Sequence, residues 1–522
     1  MKKIYSSIII LCIANMATAQ IPEDALRLTW QPSYGSARYM AIGGTMTGLG
    51  GEITAAHTNP AGLGFYKNGD LVFSPGFNFG RNTIDYRNQK NLKGDNTNAF
   101  NLGTSGVIIA GEITDNKKIK SAALSFTINK LADYNNSISY KGYNNLSSGA
   151  ERYAEEFSAA KQTPNDALNN KYISLPTRLA LYSYLIDTLT LNSKLQVVAF
   201  PEFTNGVNQT NTITTSGGVH ELALGLAVNK DEKLFLGASL GLPIMNYTRE
   251  TYYSETDGDT ASKNGFAYYN YKETLKTSGI GFNAKIGLIY RPVERVRLGL
   301  SINSPTYYNL VDETRGTMNV KTENISAFPN RVFANTATVT EQVLSNGAAN
   351  IESRYTFRNT WKIAAGASYV FREIANVKKQ RAFIAADVEY VTYKSMHYNS
   401  TLGDETGNIN HYKSTNEGIK SIYKNAFNAK IGGEVKFNTI MLRLGGAYYG
   451  NPNKDAANLK QDRINISGGL GYRHKGIFID ATYVHQINRS VDMPYRLADK
   501  ANTFANINNR TGNVMLTFGT KF

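Results

Sequence analysis

Hydrophobic and polar residues alternate with a period of two along most of the chain beyond residue 69. In Phe427–Phe437, for example, Phe427, Ile431 and Phe437 share one face, and polar residues such as Asn428 and Lys430 share the other. Similar runs are Lys233–Gly241, Arg295–Asn303 and Arg381–Tyr390. Such alternation is typical of a β-strand with two unlike faces. The pattern therefore predicts an all-β chain.

Fourteen strands are predicted, and the lengths of their connections alternate. The strands are placed at 69–80, 103–113, 119–130, 219–229, 233–247, 278–291, 294–303, 357–372, 381–393, 425–437, 440–450, 463–474, 476–487 and 510–521. Short turns join them on one side and long loops on the other. An even strand number with this asymmetry is typical of a transmembrane antiparallel β-barrel of the outer membrane. The fold predicted is such a barrel, with both ends of the strand array on the periplasmic side.

The longest loop, 131–218, has helical character and is expected to lie outside the cell. The segment SSGAERYAEEFSAAKQ places Tyr153, Phe157 and Ala160 on one helical face. The apolar segment 171–189, interrupted by Pro176, can be read as a helix or a strand. A helix is favoured because a further strand would make the strand count odd.

The first nineteen residues have the features of a secretory signal peptide. Lys2 and Lys3 precede an apolar stretch, and Ala17-Thr18-Ala19 is a suitable cleavage site. Cys12, the only cysteine, lies in this segment, so the mature chain should have no disulfide and no cysteine metal site. Beyond it there is no apolar run of about 18 residues, the length of a transmembrane helix.

Little in the sequence indicates catalysis or a bound cofactor. The six histidines have no metal-ligand spacing. Gly237 to Gly241 match G-x-S-x-G, but a nucleophile elbow needs a turn between strand and helix, whereas Ser239 lies in an alternating strand. The formal net charge of +15 comes without a nucleic-acid-binding module. The protein is therefore predicted not to be an enzyme, and no cofactor, metal or nucleic-acid partner is expected.

Charged residues at inward-facing strand positions are the candidates for ligand recognition. The cations are Lys285, Arg295, Arg297, Lys430 and Arg443, and the anions are Asp387, Glu389, Glu434 and Asp480. One interpretation is a polar interior whose charges satisfy each other. The other is that some of the cations bind an anionic head group such as a carboxylate.

The segment ARYMAIGGTMTGLGGEITAAHTNPAGLGFYKNGDLVFSPGFNFG resembles the start of the outer-membrane long-chain fatty-acid and aromatic-hydrocarbon transporters, the FadL/TodX family. The resemblance lies in a Gly/Ala-rich stretch that ends in Asn59-Pro60-Ala61 and is followed at once by the first strand. After the signal peptide at 1–19, it implies an N-terminal hatch at 20–68 inside the lumen, followed by the barrel at 69–522. The hatch or gate residues it implies are Asn59, Pro60, Ala61, Gly62 and Phe65.

The same resemblance implies passive transport of hydrophobic small molecules such as long-chain fatty acids. A ligand would bind in an apolar pocket, displace the hatch and leave sideways through a gap made by a kinked third strand. Here the third strand, IKSAALSFTINK, has neither Gly nor Pro, and Pro75-Gly76 is the nearest breaker. Expected partners are the hydrophobic ligand, outer-membrane lipid and lipopolysaccharide, and the barrel assembly machinery, which would recognise the terminal strand ending in Phe522.

Three alternatives remain open from the sequence. The long loops could serve a surface ligand- or haem-binding receptor or adhesin that does not transport. A barrel lipase would use Ser239. A water-filled porin is the third, although a plugged barrel of fourteen strands leaves little open lumen.

Overall fold

The structure, a computed structural model, describes residues 22–29, 34–113, 118–170, 172–191, 194–259, 264–323, 337–340, 351–372, 381–401, 406–454 and 461–522. The predicted signal peptide lies outside these residues. No helix in the described part of the chain is long and apolar enough to cross a membrane.

Fourteen antiparallel strands close into one barrel, and several of them consist of two segments. β1 comprises Asp70–Phe73 and Pro75–Tyr86, β2 Thr97–Leu102 and Ser105–Glu112, and β3 Ile119–Asp133 and Asn136–Asn144. β4 is Val207–Lys230, β5 Leu234–Asp257, β6 Tyr268–Val293, and β7 Val296–Asn303 with Tyr307–Lys321. β8 comprises Ile351–Arg358 and Lys362–Phe371, and β9 Ala382–Val391 and His397–Ser400. β10 is Ala426–Phe437, β11 Ile440–Tyr449, β12 Arg463–His474, β13 Ile477–Asp492 and β14 Ala505–Lys521. Pairing of β14 with β1 closes the sheet.

The helices and shorter elements lie in the N-terminal segment and in the loops. The α-helices are α1 Pro22–Thr29, α2 Ala37–Ala41, α3 Glu151–Ala160, α4 Pro164–Asn169, α5 Leu175–Tyr182 and α6 Thr406–Ile422. Short 3-10 helices are Ile53–His57, Pro60–Phe65, Phe200–Phe203 and Tyr393–Ser395. Strand segments outside the fourteen are Gln89–Lys93, Ala337–Thr340 and the hairpin Ile186–Leu191 with Lys194–Ala199.

An apolar belt surrounds the barrel at the height of a membrane. On β10 it runs from Phe427 to Phe437, which are 63% and 59% exposed. That span matches the roughly 9–11 residues with which a tilted strand crosses a bilayer. On β5 the belt ends at Ile244, because the next outward residue is Asn246. A closed barrel with such a belt is the architecture of bacterial outer-membrane proteins.

The strands extend beyond the belt on the long-loop side, and this corrects the predicted loop boundaries. β3 continues to Asn144 and β4 begins at Val207, so the loop runs over 145–206 instead of 131–218. The periodic signal stops at the belt because the outward face beyond it meets water. The ladder of backbone hydrogen bonds nevertheless continues.

The loop segment 171–189 contains both of the elements that the sequence left open. Ser174 accepts a hydrogen bond from Thr177 N and caps α5, whose first turn contains Pro176. A strand then begins at Ile186, but it pairs within the loop hairpin and not with the barrel. The even number of barrel strands is therefore kept.

The wall has an interruption between β2 and β3. Ser105–Glu112 pairs with β3, whereas in the described ladder Thr97–Leu102 pairs with β1 alone. The second segment of β3, Asn136–Asn144, pairs with β4 and turns inward over β1, where Tyr140 packs against Tyr86 at 4.6 Å between ring centroids.

The break in β3 falls at Tyr134–Asn135, which the sequence did not identify. Asp133 Oδ1 accepts a hydrogen bond from Asn135 N at 3.0 Å, so an Asx-type turn replaces the Gly or Pro that was sought. A glycine does lie at the break, but on the neighbouring strand β4. Gly217 has φ 103°, and its carbonyl accepts a hydrogen bond from Tyr134 N.

Candidate functional site

Of the predicted hatch, 20–68, the structure describes 22–29 and 34–68; residues 34–68, called the hatch from here on, lie inside the barrel at the height of the apolar belt. Asn59 begins its 3-10 helix Pro60–Phe65: Asn59 Oδ1 accepts from Ala61 N at 3.2 Å. The other side of the Asn59 amide donates to Thr47 O at 2.6 Å. Gly50 and Gly51 have φ of 67° and 72°, which favours glycine, and Gly51 N donates to Gly62 O at 2.9 Å. The Asn-Pro-Ala segment thus joins two turns of the hatch.

A buried carboxylate organises the other end of the hatch. Glu52 Oε2 accepts from Thr54 N at 2.7 Å, and Glu52 Oε1 accepts from Ser36 Oγ. Burial raises the pKa of Glu52, while these hydrogen bonds oppose the shift. Ser36 in turn caps α2. The hatch therefore folds around its own polar contacts, besides those it makes with the wall.

Six inward-facing glycines, here called the glycine seat, allow the hatch backbone to touch the wall. They form three cross-strand pairs: Gly237 with Gly287, Gly299 with Gly366, and Gly432 with Gly445. A Cβ on Gly237 would lie 2.5 Å from Ala61 N, and one on Gly299 would lie 2.7 Å from Gly48 Cα. Glycine within a strand marks such close approach of another backbone.

Wall side chains then satisfy the polar backbone groups of the hatch. Asp387 Oδ2 accepts from Met46 N and Thr47 N, both at 2.9 Å. Hydroxyl groups donate from several strands: Ser239 to Ala56 O at 2.7 Å, Ser368 to Gly48 O at 3.0 Å, Ser467 to Ala41 O at 3.0 Å, and Thr482 to Ala37 O at 2.6 Å. Ser239, the serine of the G-x-S-x-G match, thus lies in mid-strand and contacts the hatch.

His57 connects the hatch to a charged group of the wall. Its Nδ1 lies 2.8 Å from Glu221 Oε1, and its Nε2 lies 2.9 Å from Thr127 Oγ1. Lys285 Nζ donates to the same Glu221 oxygen at 2.7 Å. Burial lowers the pKa of His57; Glu221 opposes this and Lys285 adds to it. A neutral imidazole then donates from Nδ1 to Glu221 and accepts at Nε2 from Thr127.

The structure places four of the five predicted lumen cations inside the barrel, each next to a partner. Lys285 contacts Glu221, and Lys430 Nζ lies 4.0 Å from Glu389 Oε2. Arg443 is fully buried and donates to both Glu434 and Asp480 at 2.6 Å. Arg297 instead holds the hatch: its guanidinium lies 4.4 Å from the ring centroid of Phe65, which stacks on Phe235 at 3.9 Å.

The prediction for Arg295 is wrong. It lies between β6 and β7, in the turn after Val293, and its side chain is exposed outside the lumen. The predicted strand 294–303 begins two residues too early, because residues 294 and 295 form the turn and β7 begins at Val296.

Above the hatch, α1 occupies a part of the lumen that combines apolar and tyrosine side chains with an ion-pair network, in which Arg249 lies 3.6 Å from Asp24 and 3.2 Å from Glu273. Leu26 and Leu28 pack there among tyrosines of the wall and the loops, including Tyr134, Tyr247, Tyr308, Tyr355, Tyr398 and Tyr423. The Arg27 guanidinium lies 3.6 Å from the ring centroid of Tyr247, and Arg27 pairs with Asp24 at 2.9 Å. A helix of this chain thus fills the lumen above the hatch.

The hatch also closes the interrupted part of the wall from inside. Asn78 of β1 donates to Tyr34 OH at 3.2 Å, and Asn129 of β3 donates to Tyr34 O at 3.3 Å. Lys130 and Asp133 form an ion pair of 3.0 Å beside them. Outside, Phe100 and Phe126 border the interruption and are 66% and 51% exposed. The interruption is therefore polar and sealed inside but apolar outside.

Sequence reasoning missed the glycine seat and the wall hydroxyls, although their signal is visible. Gly237, Ser239 and Gly287 occupy inward positions in strands with large outward residues. Small residues confined to one face indicate that something packs closely there. Of metal sites, the described residues contain no group of three or more His, Cys, Asp or Glu that could hold an ion.

The barrel is similar to solved channel structures over nearly its whole length. A Pseudomonas aeruginosa FadL homologue matches with a TM-score of 0.51 and 13% identity, covering 94% of this chain and 99% of that chain. The P. putida toluene transporter TodX matches with a TM-score of 0.50 and 13% identity, with the same coverage of both chains. No protein-family model matches this chain, and no curated protein matches its sequence. The predicted FadL/TodX-like resemblance is confirmed at the level of the fold.

Proposed function

We propose that the protein is a passive outer-membrane channel for hydrophobic small molecules, opened by displacement of the hatch. The observation that carries the proposal is the combination of a sealed lumen with an interruption of the wall. The hatch fills the barrel at belt height, and its Tyr34 closes the inner side of the break between β2 and β3. The solved channels with this fold include a transporter of toluene.

The upper lumen is the proposed ligand site. An apolar molecule would replace the apolar face of α1 among the tyrosines, so burial of apolar surface supplies its affinity. Because α1 and the ligand compete for the same space, binding would shift an existing equilibrium toward a state in which α1, and with it the hatch that follows it in the chain, is displaced. The ligand would then leave between Phe100 and Phe126 into the bilayer.

The proposed ligand class is long-chain fatty acids or similar apolar compounds. Lys285, Lys430 and Arg443 already lie beside carboxylates, so the lumen does not require an acidic ligand. Competition between a labelled fatty acid and toluene for uptake would distinguish an acid-selective channel from one for neutral hydrocarbons.

A reversible lock of the hatch tests the function. Cysteines introduced as Ala56→Cys and Ser239→Cys lie across the contact from Ser239 Oγ to Ala56 O. Cells with the oxidised protein should take up labelled oleate or toluene no faster than cells without it, and a reductant should restore uptake. Both single-cysteine variants are controls. Equal uptake by the oxidised and reduced proteins would contradict gating by the hatch. Ligand binding without uptake in either state would favour a surface receptor.

The C-terminal residue suits recognition by the barrel assembly machinery. Phe522 N donates to Gly69 O at 3.0 Å, and the ring remains 65% exposed at the periplasmic end. We expect deletion of Phe522 to reduce the amount of folded protein in the outer membrane, but not the activity per folded molecule.

A further inference from the structure

The outer wall of the barrel has an apolar groove on the side where the hatch presses against it. The groove crosses β2 to β7 and has a volume of about 1090 Å³. Large outward residues, including Ile109, Leu226, Ile286 and Leu300, form its sides. Ligand pockets commonly measure roughly 300–1,000 Å³, so this groove is large enough for a lipid-sized molecule.

The groove follows from the packing of the hatch. Its floor is made of small residues, namely Gly111, Ala122 and Ala238 on the outward face and Ala123, Ala227, Gly237 and Gly287 on the inward face. The inward Gly237 and Gly287 touch Ala61 and Asn59 of the hatch. With small residues on both of its faces, the wall is thin at this point, and only one backbone layer separates the groove from the hatch.

The groove differs from the interruption between β2 and β3. Its floor is continuously paired: Ile109 lies opposite Leu124, which in turn lies opposite Leu226. It is also closer to the short turns, because Glu112 and Val228 line it near the strand ends. The groove therefore faces the periplasmic leaflet.

Two lysines lie at the periplasmic rim of the groove. Lys230 follows Val228 on the same outward face, and Lys120 lies in the bulge of β3 opposite Asn229 and Lys230. Both side chains are exposed, and neither makes an ion pair within the part of the chain that the structure describes. The nearby Glu112 is paired with Lys67 at 3.1 Å.

An apolar groove with a cationic end at the headgroup level selects one kind of occupant. The acyl chains of a lipid match the apolar length of the groove, and the two lysine ammonium groups attract an anionic headgroup at the membrane surface. We propose that the groove binds a glycerophospholipid of the periplasmic leaflet, with its acyl chains along the floor and its phosphate beside Lys120 and Lys230. The proposal does not rest on transport, so a channel without activity could still bind this lipid.

Binding is measured on the full mature protein in detergent by native mass spectrometry, with dioleoylphosphatidylglycerol as the probe and dioleoylglycerol as the phosphate-free comparison. Ala238→Phe fills the floor and should abolish retention of the phospholipid. The matched control is Ala429→Phe, which adds the same ring to the outward face of β10, away from the groove. Heat-modifiable migration in electrophoresis checks that each variant is folded.

Lys120→Gln with Lys230→Gln should weaken phospholipid binding on the order of tenfold or more, since a juxtamembrane lysine contributes about fivefold. Lys475→Gln, in an exposed turn across the barrel, should leave binding unchanged. Equal retention by the Ala238→Phe variant and the native protein would overturn the site. Binding of dioleoylglycerol as tight as that of the phospholipid, unaffected by the lysine changes, would overturn the role of the phosphate.

Discussion

Substitution Gly237→Ala tests whether the glycine seat holds the hatch in place. The added Cβ would lie 2.5 Å from Ala61 N and would also meet Pro60. Both neighbours are backbone, so no flexible side chain can move aside. The hatch must shift away from β5, or the strand must move outward into the groove.

The size of the effect follows from the cost of overpacking. Adding a methylene to a packed site costs typically about 1–3 kcal/mol. If the displaced hatch is free of the clash, the ratio of displaced to seated hatch rises by the same free energy. Since about 1.4 kcal/mol corresponds to a factor of ten, the displaced population should rise roughly 5- to 150-fold.

A single cysteine in the hatch reports this population. The mature chain is predicted to lack cysteine, and Thr45 is fully buried in the hatch, so Thr45→Cys should react with a maleimide only when the hatch is displaced. The control is Gly111→Ala, because a Cβ there has nothing within 4 Å. If Gly237→Ala and Gly111→Ala give the same labelling rate, the glycine seat does not hold the hatch.

Three further outcomes are expected. Arg443→Met removes the shortest ion pairs of two buried carboxylates but leaves Glu434 with Arg38 and Asp480 with Arg473, each at 3.4 Å, so stability should fall by about 1.5–3 kcal/mol; an unchanged thermal unfolding temperature of the folded band would contradict this. Asn59→Asp keeps the side-chain oxygen that caps Pro60–Phe65 but loses the amide group that donates to Thr47 O. This loss should destabilise the seated hatch by about 1–3 kcal/mol, and the labelling rate of Thr45→Cys should rise by the corresponding factor. Because burial lowers the pKa of His57 from 6.5, its neutral form favours the seated hatch. The closed state is then stabilised above pH 6.5 and weakens as the pH falls through that value, so labelling should rise in acid and His57→Gln should remove the rise.

The barrel could be predicted from the sequence because one periodic signal repeats along it. Each strand alternates apolar and polar residues as long as its outer face meets lipid, and Phe427–Phe437 shows the full span. Beyond the belt the outer face meets water, so the extension of β3 to Asn144 carried no such signal. The alternation of inward and outward positions also ends at turns, as the exposed Arg295 shows.

The candidate site was less predictable because it depends on pairs of residues far apart in the chain. The resemblance indicated Asn59 and its neighbours, but not that Gly287 of β6 and Thr47 would receive that side chain. The kink of β3 was missed for a different reason. It was sought as Gly or Pro within the strand, whereas the structure uses Asp133 and a glycine of the neighbouring strand.

The kinds of contact between hatch and wall determine the free energy that the proposed displacement of the hatch would need. Wall hydroxyls bind hatch carbonyl groups, and each such hydrogen bond contributes only about 0.5–1.5 kcal/mol net, whereas those that the Asp387 carboxylate accepts contribute about 1.5–3 kcal/mol each. On release, water in the opened lumen can replace these bonds one for one, so the polar part of the cost of displacement stays far below the sum of these hydrogen bonds. The apolar contacts behave differently. Leu49 and Leu63 of the hatch belong to one buried cluster with Val370 and Phe383 of the wall, and water does not compensate for the exposure of that surface on displacement. The glycines and hydroxyls therefore fix the position of the hatch at little cost in free energy, and the shared apolar cluster sets most of the differential affinity that a ligand would need in order to displace it.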